Sequence, residues 1–163
     1  MSTTNRCALI TGASAGIGAT FARFLAAEGY DLLLVARREE RLRDLAAELT
    51  AAYNIRCEIF AADLTDSAAP RAIIAYAQQQ NLTIDFLVNN AGLSGSKLFV
   101  ETPWSELAGE IQLMITAVTE LAHLVAPDMK ARGWGRIINL SSIAAFAPPA
   151  ASLPPGLPCP PPP

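Results

Sequence analysis

Short, nearly continuous apolar runs alternate along this chain with longer stretches in which apolar residues recur every three or four positions. Cys7–Thr11, Asp31–Val35, Arg56–Phe60, Asp85–Val88 and Arg136–Leu140 are the short runs, rich in Leu, Ile and Val, as parallel strands covered on both faces tend to be. Between them, Ile17–Glu28, Glu39–Tyr53, Ser67–Gln80 and Pro103–Arg132 carry the helical period. In the second of these, Leu42, Leu45, Ala46 and Leu49 share one face and Glu and Arg take the other. In the last, Thr102 is placed to cap, Pro103 to occupy the first helical position and Gly133 to end the helix. Five strands and four helices in strict alternation predict an α/β fold of three layers, a doubly wound, Rossmann-like parallel sheet between two layers of helices.

Composition sharpens this picture at the C-terminal end. The chain has 163 residues, is 52% hydrophobic and 17% charged, and so has the makings of one domain with a real core. Every Lys, Arg, Asp and Glu lies at or before Arg136, whereas most of the 12 prolines fall between Pro148 and Pro163. Proline removes a backbone donor and fixes φ, so the expected domain spans 1–147 and 148–163 reads as a disordered, polyproline-like tail. The formal net charge of -3 gives no basic footprint for nucleic acid, and no apolar run approaches the length of a membrane span. With no leader-like start and three scattered cysteines, Cys7, Cys57 and Cys159, that form neither a disulfide framework nor a metal site, a cytoplasmic location is expected.

The turn after the first strand, Thr11-Gly12-Ala13-Ser14-Ala15-Gly16-Ile17-Gly18, runs directly into a helix. Glycine lets backbone approach a phosphate closely, and the helix start offers free N–H groups and the positive end of a dipole. The bland reading is a tight strand–helix turn. A rival reading takes Gly12-Ala13-Ser14-Ala15-Gly16 as Gly-x-Ser-x-Gly, the nucleophile elbow of serine hydrolases, with Ser14 as nucleophile. It needs a histidine base, and the sole histidine, His123, sits within the last helical stretch, where a surface or packing role is the ordinary one.

Three segments together, Thr11–Gly18, Asn89-Asn90-Ala91-Gly92 after the fourth strand and Gly135-Arg136-Ile137-Ile138-Asn139-Leu140-Ser141-Ser142 on the fifth, resemble the classical short-chain dehydrogenases/reductases from residue 4 to about 147. The resemblance implies an oxidoreductase that moves hydride between NAD(H) or NADP(H) and a small-molecule carbonyl or alcohol. It implies that Gly12, Ser14, Gly16, Ile17 and Gly18 hold the pyrophosphate end, that Asp63 and Leu64 meet the adenine, and that Asn90, Ala91 and Gly92 line the cofactor and brace the sheet. Asp63 also reads as a turn or cap residue in Asp63-Leu64-Thr65-Asp66, and Asn90 as a purely structural bridge. The second strand leads into Ala36-Arg37-Arg38, with Ala36 where an acid would bind a ribose 2′-hydroxyl. Arg37 and Arg38 then favour NADP over NAD, the alternative being a solvated cluster with Glu39, Glu40, Arg41 and Arg43.

The family's catalytic set is Asn, Ser, Tyr and Lys. Ser142 matches the serine, Met114 stands in the asparagine's place, and no Tyr-x-x-x-Lys follows Ser142: the last tyrosine is Tyr76 and the last lysine Lys130. The expectation is therefore a chain inactive as it stands, its later strands missing and its fifth strand an open edge, with half of the usual helical oligomer interface gone. Because Ala, Gly and Pro codons are rich in G and C, a shifted reading frame is one origin that the sequence suggests. A nucleotide-binding or interaction protein without turnover is the alternative function.

Overall fold

The computed structural model describes residues 6–93 and 99–142; the expected boundary at 147 and the stretch 148–163 lie outside the described residues. Five strands, β1 (Cys7–Thr11), β2 (Asp31–Ala36), β3 (Cys57–Ala61), β4 (Ile84–Asn89) and β5 (Arg136–Asn139), form one sheet in the order β3-β2-β1-β4-β5, with every pairing parallel. Helices α1 (Gly16–Ala27), α2 (Glu39–Tyr53), α3 (Ala69–Gln79), α4 (Trp104–Ile111) and α5 (Ala117–Ala131) complete the crossovers. The doubly wound sheet read from the hydrophobic pattern is the fold of the molecule.

Alternation along the strands sorts the core into two layers. Ala8, Ile10, Leu32 and Leu34 face α1 and α2, which contribute Ala22, Leu25, Leu42, Leu45 and Leu49. Leu9, Leu33, Val35 and Leu87 face the other way, onto Ile73 and Ala77 of α3 and Ala117, Leu121, Val125 and Met129 of α5. Leu9, Ile10, Leu33 and Leu34 have no exposed surface, which is why the segments Ala8–Ile10 and Leu32–Val35 carry no polar residue on either face. Strand order reverses at β1, whose neighbours are β2 and β4, and the carboxyl ends of these strands open a crevice at that reversal.

The helix expected as one piece over Pro103–Arg132 is instead divided. Pro103, with an extended ψ of 145°, is the cap, and α4 starts one residue later than the sequence predicts. Between α4 and α5, Gln112–Thr116 widens into a π-turn in which the Ala117 N–H donates to the Gln112 carbonyl. Periodicity reports only which residues face inward, and Leu113 and Ala117 are both buried across the turn, so the apolar pattern passes through it unbroken.

At the opposite pole, the β1–β4 register shifts between Cys7 and Ala8. The Cys7 N–H donates instead to Oδ2 of Asp85 at 3.0 Å, so the shift leaves no buried donor unpaired. Arg132 completes this corner: it pairs with Asp85, donates to the Ile84 carbonyl at 2.9 Å and to Asp128 at 3.0 Å, tying the end of α5 to the start of β4.

Candidate functional site

The turn after β1 and the segment after β4 are locked to each other by hydrogen bonds. Thr11 Oγ1 accepts the N–H groups of Asn90 and Ala91 at 3.0 and 3.1 Å and donates to the Val88 carbonyl at 3.3 Å. Asn90 Nδ2 in turn donates to the carbonyls of Thr11 and Gly12 at 3.0 and 3.3 Å. Two glycines allow this approach. Gly12 has φ +67°, and a Cβ there would lie 2.7 Å from Asn90 Nδ2 and 2.9 Å from the Ala91 Cα. A Cβ on Gly18 would drive into the Gly12 carbonyl oxygen and Asn90 Nδ2, neither of which can retreat. Thr11 received no role from the sequence pattern, because a threonine ending a buried strand carries no signal beyond its β-propensity.

A groove opens over this platform. One wall is Gly12, Ser14 and Ala15; a second is Ala36, Arg37 and Arg38 with Asp63, Leu64 and Thr65; Asn90, Ala91, Gly92 and Leu93 form the third, and Leu113 reaches in from the π-turn. Nine residues singled out from the sequence, Gly12, Ser14, Arg37, Arg38, Asp63, Leu64, Asn90, Ala91 and Gly92, thus meet around one groove. Five others lie outside its lining. Gly16, with φ +55° and open space where a Cβ would point, begins α1; Gly18 is buried beneath the turn; Ile17 is 60% exposed. Ser142 lies exposed just past β5, and Met114 sits exposed in the π-turn.

Electrostatics distinguish the two arginines. Arg38 donates from Nε and Nη2 to Ser14 Oγ at 3.3 and 3.0 Å, which seats its guanidinium against the glycine turn. Arg37 reaches across the groove to Asp63, with Nη1 to Oδ2 at 3.8 Å. Asp63 Oδ1 accepts the Thr65 N–H at 3.0 Å and the Thr65 hydroxyl at 2.9 Å, closing an Asx-turn. The Thr65 N–H above all, then its hydroxyl and Arg37, hold the Asp63 carboxyl below the usual carboxylate range against the opposing effect of burial.

These features fit a phosphorylated nucleotide. No side chain caps α1 at Ala15 and no acid stands in its first turn, so its N-terminal dipole end faces the turn without a protein counter-charge. Arg38 adds a full positive charge beside it. They do not fit a hydrolytic nucleophile. The Ser14 hydroxyl lies against a guanidinium, which has no lone pair with which to take a proton, and His123 is exposed on α5. Among the described residues no cluster of potential metal ligands occurs, and no helix is long and apolar enough to cross a membrane.

Comparison with known proteins agrees with the geometry. A very-long-chain 3-oxoacyl-CoA reductase of Pyrenophora tritici-repentis is 37% identical over 145 residues, which cover 86% of this chain and 42% of that protein. The structure of a short-chain dehydrogenase from Sphingobium yanoikuyae in complex with NADPH superposes with a TM-score of 0.81 at 42% identity, covering 88% of this chain and 56% of that one. L-Sorbose reductase from Gluconobacter frateurii, complexed with NADPH and L-sorbose, gives 0.84 at 33% identity, over 90% and 56% of the two chains. The chain spans about half the length of the curated relatives it matches. The family model described as short chain dehydrogenase matches residues 6–154, a range that takes in the glycine turn, the Asn-Asn-Ala-Gly segment and Ser142, and on this sequence and this fold the chain belongs to the short-chain dehydrogenase family.

Proposed function

We propose that residues 1–163 form the nucleotide-binding part of a cytoplasmic NADP(H)-dependent oxidoreductase acting on a small-molecule carbonyl or alcohol. The observation that carries this reading is the Arg38 guanidinium seated on Ser14 beside the uncapped start of α1, with Ala36 where an acid would favour an unphosphorylated ribose. The glycine turn and α1 receive the pyrophosphate, Leu64 and Leu93 give apolar surface for the adenine end, and Ala91 and Gly92 line the path onward. When bound, NADPH would supply hydride to a carbonyl carbon; Ser142 is proposed to hold the carbonyl oxygen, and the described residues around the groove offer no donor for the proton that completes the reduction. Tyr76 and Lys130 lie on α3 and α5 and do not line the groove, so the chain by itself is expected to bind nucleotide without family-like turnover. The neighbours complexed with NADPH, a neighbour described as a bulky-bulky ketone specific alcohol dehydrogenase, and relatives named as acyl-CoA reductases support the cofactor and the substrate class. The exposed apolar residues Trp104, Ile111 and Ile115 are proposed to meet a second copy of the chain.

Titration of the purified chain with NADPH and NADH tests the reading. A charge-assisted contact is worth ~1.5–3 kcal/mol, so NADPH is expected to bind roughly ten- to a hundredfold more tightly. Equal affinities for the two would refute the assignment. Deleting 148–163 is expected to leave both affinities unchanged.

A further inference from the structure

We infer that the pole opposite the groove carries a second anion site, formed by Arg6, Trp134 and Arg136, which takes the dianion of a phosphate group. The site is independent of the nucleotide reading above: Arg6 leads into β1 and Arg136 opens β5, at the amino ends of the strands, whereas the groove lies at their carboxyl ends. Trp134 holds the two arginines together. Arg6 Cζ lies 3.9 Å from the centroid of its ring and Arg136 Cζ 6.0 Å from it. The indole is itself seated, because the Trp134 N–H donates to the Met129 carbonyl at 3.1 Å and the next residue, Gly135, packs directly against the Met129 side chain. Arg6 is anchored through its carbonyl, which accepts the Asp31 N–H at 2.9 Å. Strand order puts β4 between β1 and β5, so the three side chains together bridge the start of β4. Both guanidiniums stand outside the ion pairs of this pole. Asp85 and Asp128 are taken by Arg132, and the C-terminal dipole end of α5 already has Lys130 in its last turn. Among the described residues neither Arg6 nor Arg136 has an ion pair, and both are exposed. A guanidinium held over an aromatic face keeps its planar fork for an oxyanion, and the stacking has already removed part of the rotamer freedom that binding would cost. Two positive charges at one ring match a doubly charged group, whereas a single carboxylate would leave one of them unanswered. The net charge of -3 works against a polyanion that engages a whole face, and so favours one compact dianion over nucleic acid or an anionic membrane.

Titration of the whole chain with inorganic phosphate tests the site, at constant ionic strength and about pH 7.5, where the group is mostly doubly charged. The readouts are the Trp134 indole N–H and the backbone amides of Arg6 and Arg136 in proton–nitrogen correlation spectra. All three are expected to shift together and to saturate, with a midpoint of about 1–10 mM. The amides of Gly12 and Gly16 report phosphate in the glycine turn separately, so binding in the groove is not mistaken for binding here. Arg6→Gln and Arg136→Gln should each weaken the Trp134 response roughly tenfold, and the double variant should abolish saturation. Arg6→Lys, which keeps the charge but loses the fork, should weaken it severalfold. Acetate, with one charge, should bind roughly tenfold more weakly than phosphate. Methyl phosphate separates the two sources of the dianion: tighter binding of the ester assigns the site to a phosphate carried on a larger molecule, and tighter binding of inorganic phosphate assigns it to the free ion. Unchanged dispersion of the other resonances shows that each variant is folded, and the single variants carry the test where the double one is not. A Trp134 shift that stays linear in phosphate, that sodium chloride reproduces at equal ionic strength, or that survives in the folded double variant overturns the site and leaves NADP(H) binding untouched. Failure to bind NADPH with the Trp134 response intact overturns the nucleotide reading alone.

Discussion

At the scale of single residues, burial fixes the chemistry of two thiols. Cys7 is buried in β1, and burial above all, with Asp31 and Asp85 adding to it, pushes its pKa to about 12. Cys57 is likewise pushed to about 12, by burial first and then by Glu58 and Asp31. The thiolate is the reactive form, so both residues should resist alkylation in the native protein. Iodoacetamide labelling at pH 8, mapped by mass spectrometry, is expected to modify them only once urea unfolds the chain; equal rates with and without urea would contradict the burial argument. The linkage follows from the direction of the shift. A folded pKa above the unfolded value of ~8.5 gives a contribution to stability that is fully present below about pH 8 and is lost as pH climbs towards 12. The site residues differ in how far they could be read without coordinates. Ser14 and Arg38 were legible as types at the ends of the first two strands, but their mutual contact was not, since it depends on how the two crossovers fold over the sheet edge.

At the scale of elements, the sequence pattern located every strand within a residue or two because Leu, Ile and Val runs bounded by charge leave little freedom of register. It missed the π-turn because a one-residue insertion in a helix rotates the following residues without removing apolar positions from the core. It could not see a close approach either. Gly135 precedes β5, and a Cβ there would collide with Cβ, Cγ and Sδ of Met129, which is buried at the end of α5. Alanine at Gly135 should therefore force α5 and β5 apart and cost ~1–3 kcal/mol, the usual range for overpacking. Urea unfolding followed by circular dichroism reads this directly. An unchanged midpoint would show that Met129 swings aside without cost.

For the whole molecule, the corner around Asp85 joins three segments distant in sequence. Its carboxylate accepts from the Cys7 N–H, where the β1–β4 ladder slips, and from Arg132, which also holds the Ile84 carbonyl and Asp128. Arg132→Met keeps the aliphatic stem but leaves the buried Asp85 with an uncompensated charge. Hydrogen bonds to charged groups contribute ~1.5–3 kcal/mol, so a loss of that order in thermal stability is expected, with the Cys7 amide exchanging its hydrogen faster. A melting temperature within error of that of the unaltered protein would remove the corner from the account of stability. The lock between Thr11 and Asn90 has a different consequence, for the order of events as the chain folds. Its partners are 79 residues apart, and β1 lies in the centre of the sheet although it is made first. The first βαβ unit can close early, since β2 follows soon after α1, but the glycine turn gains its brace only once β4 and Asn90 have been synthesised. Closing so long a loop carries an entropic cost before any contact offsets it, and non-local parallel pairing is slow for that reason. Nucleotide affinity should therefore be among the last properties to appear during refolding, after most of the helix signal has returned.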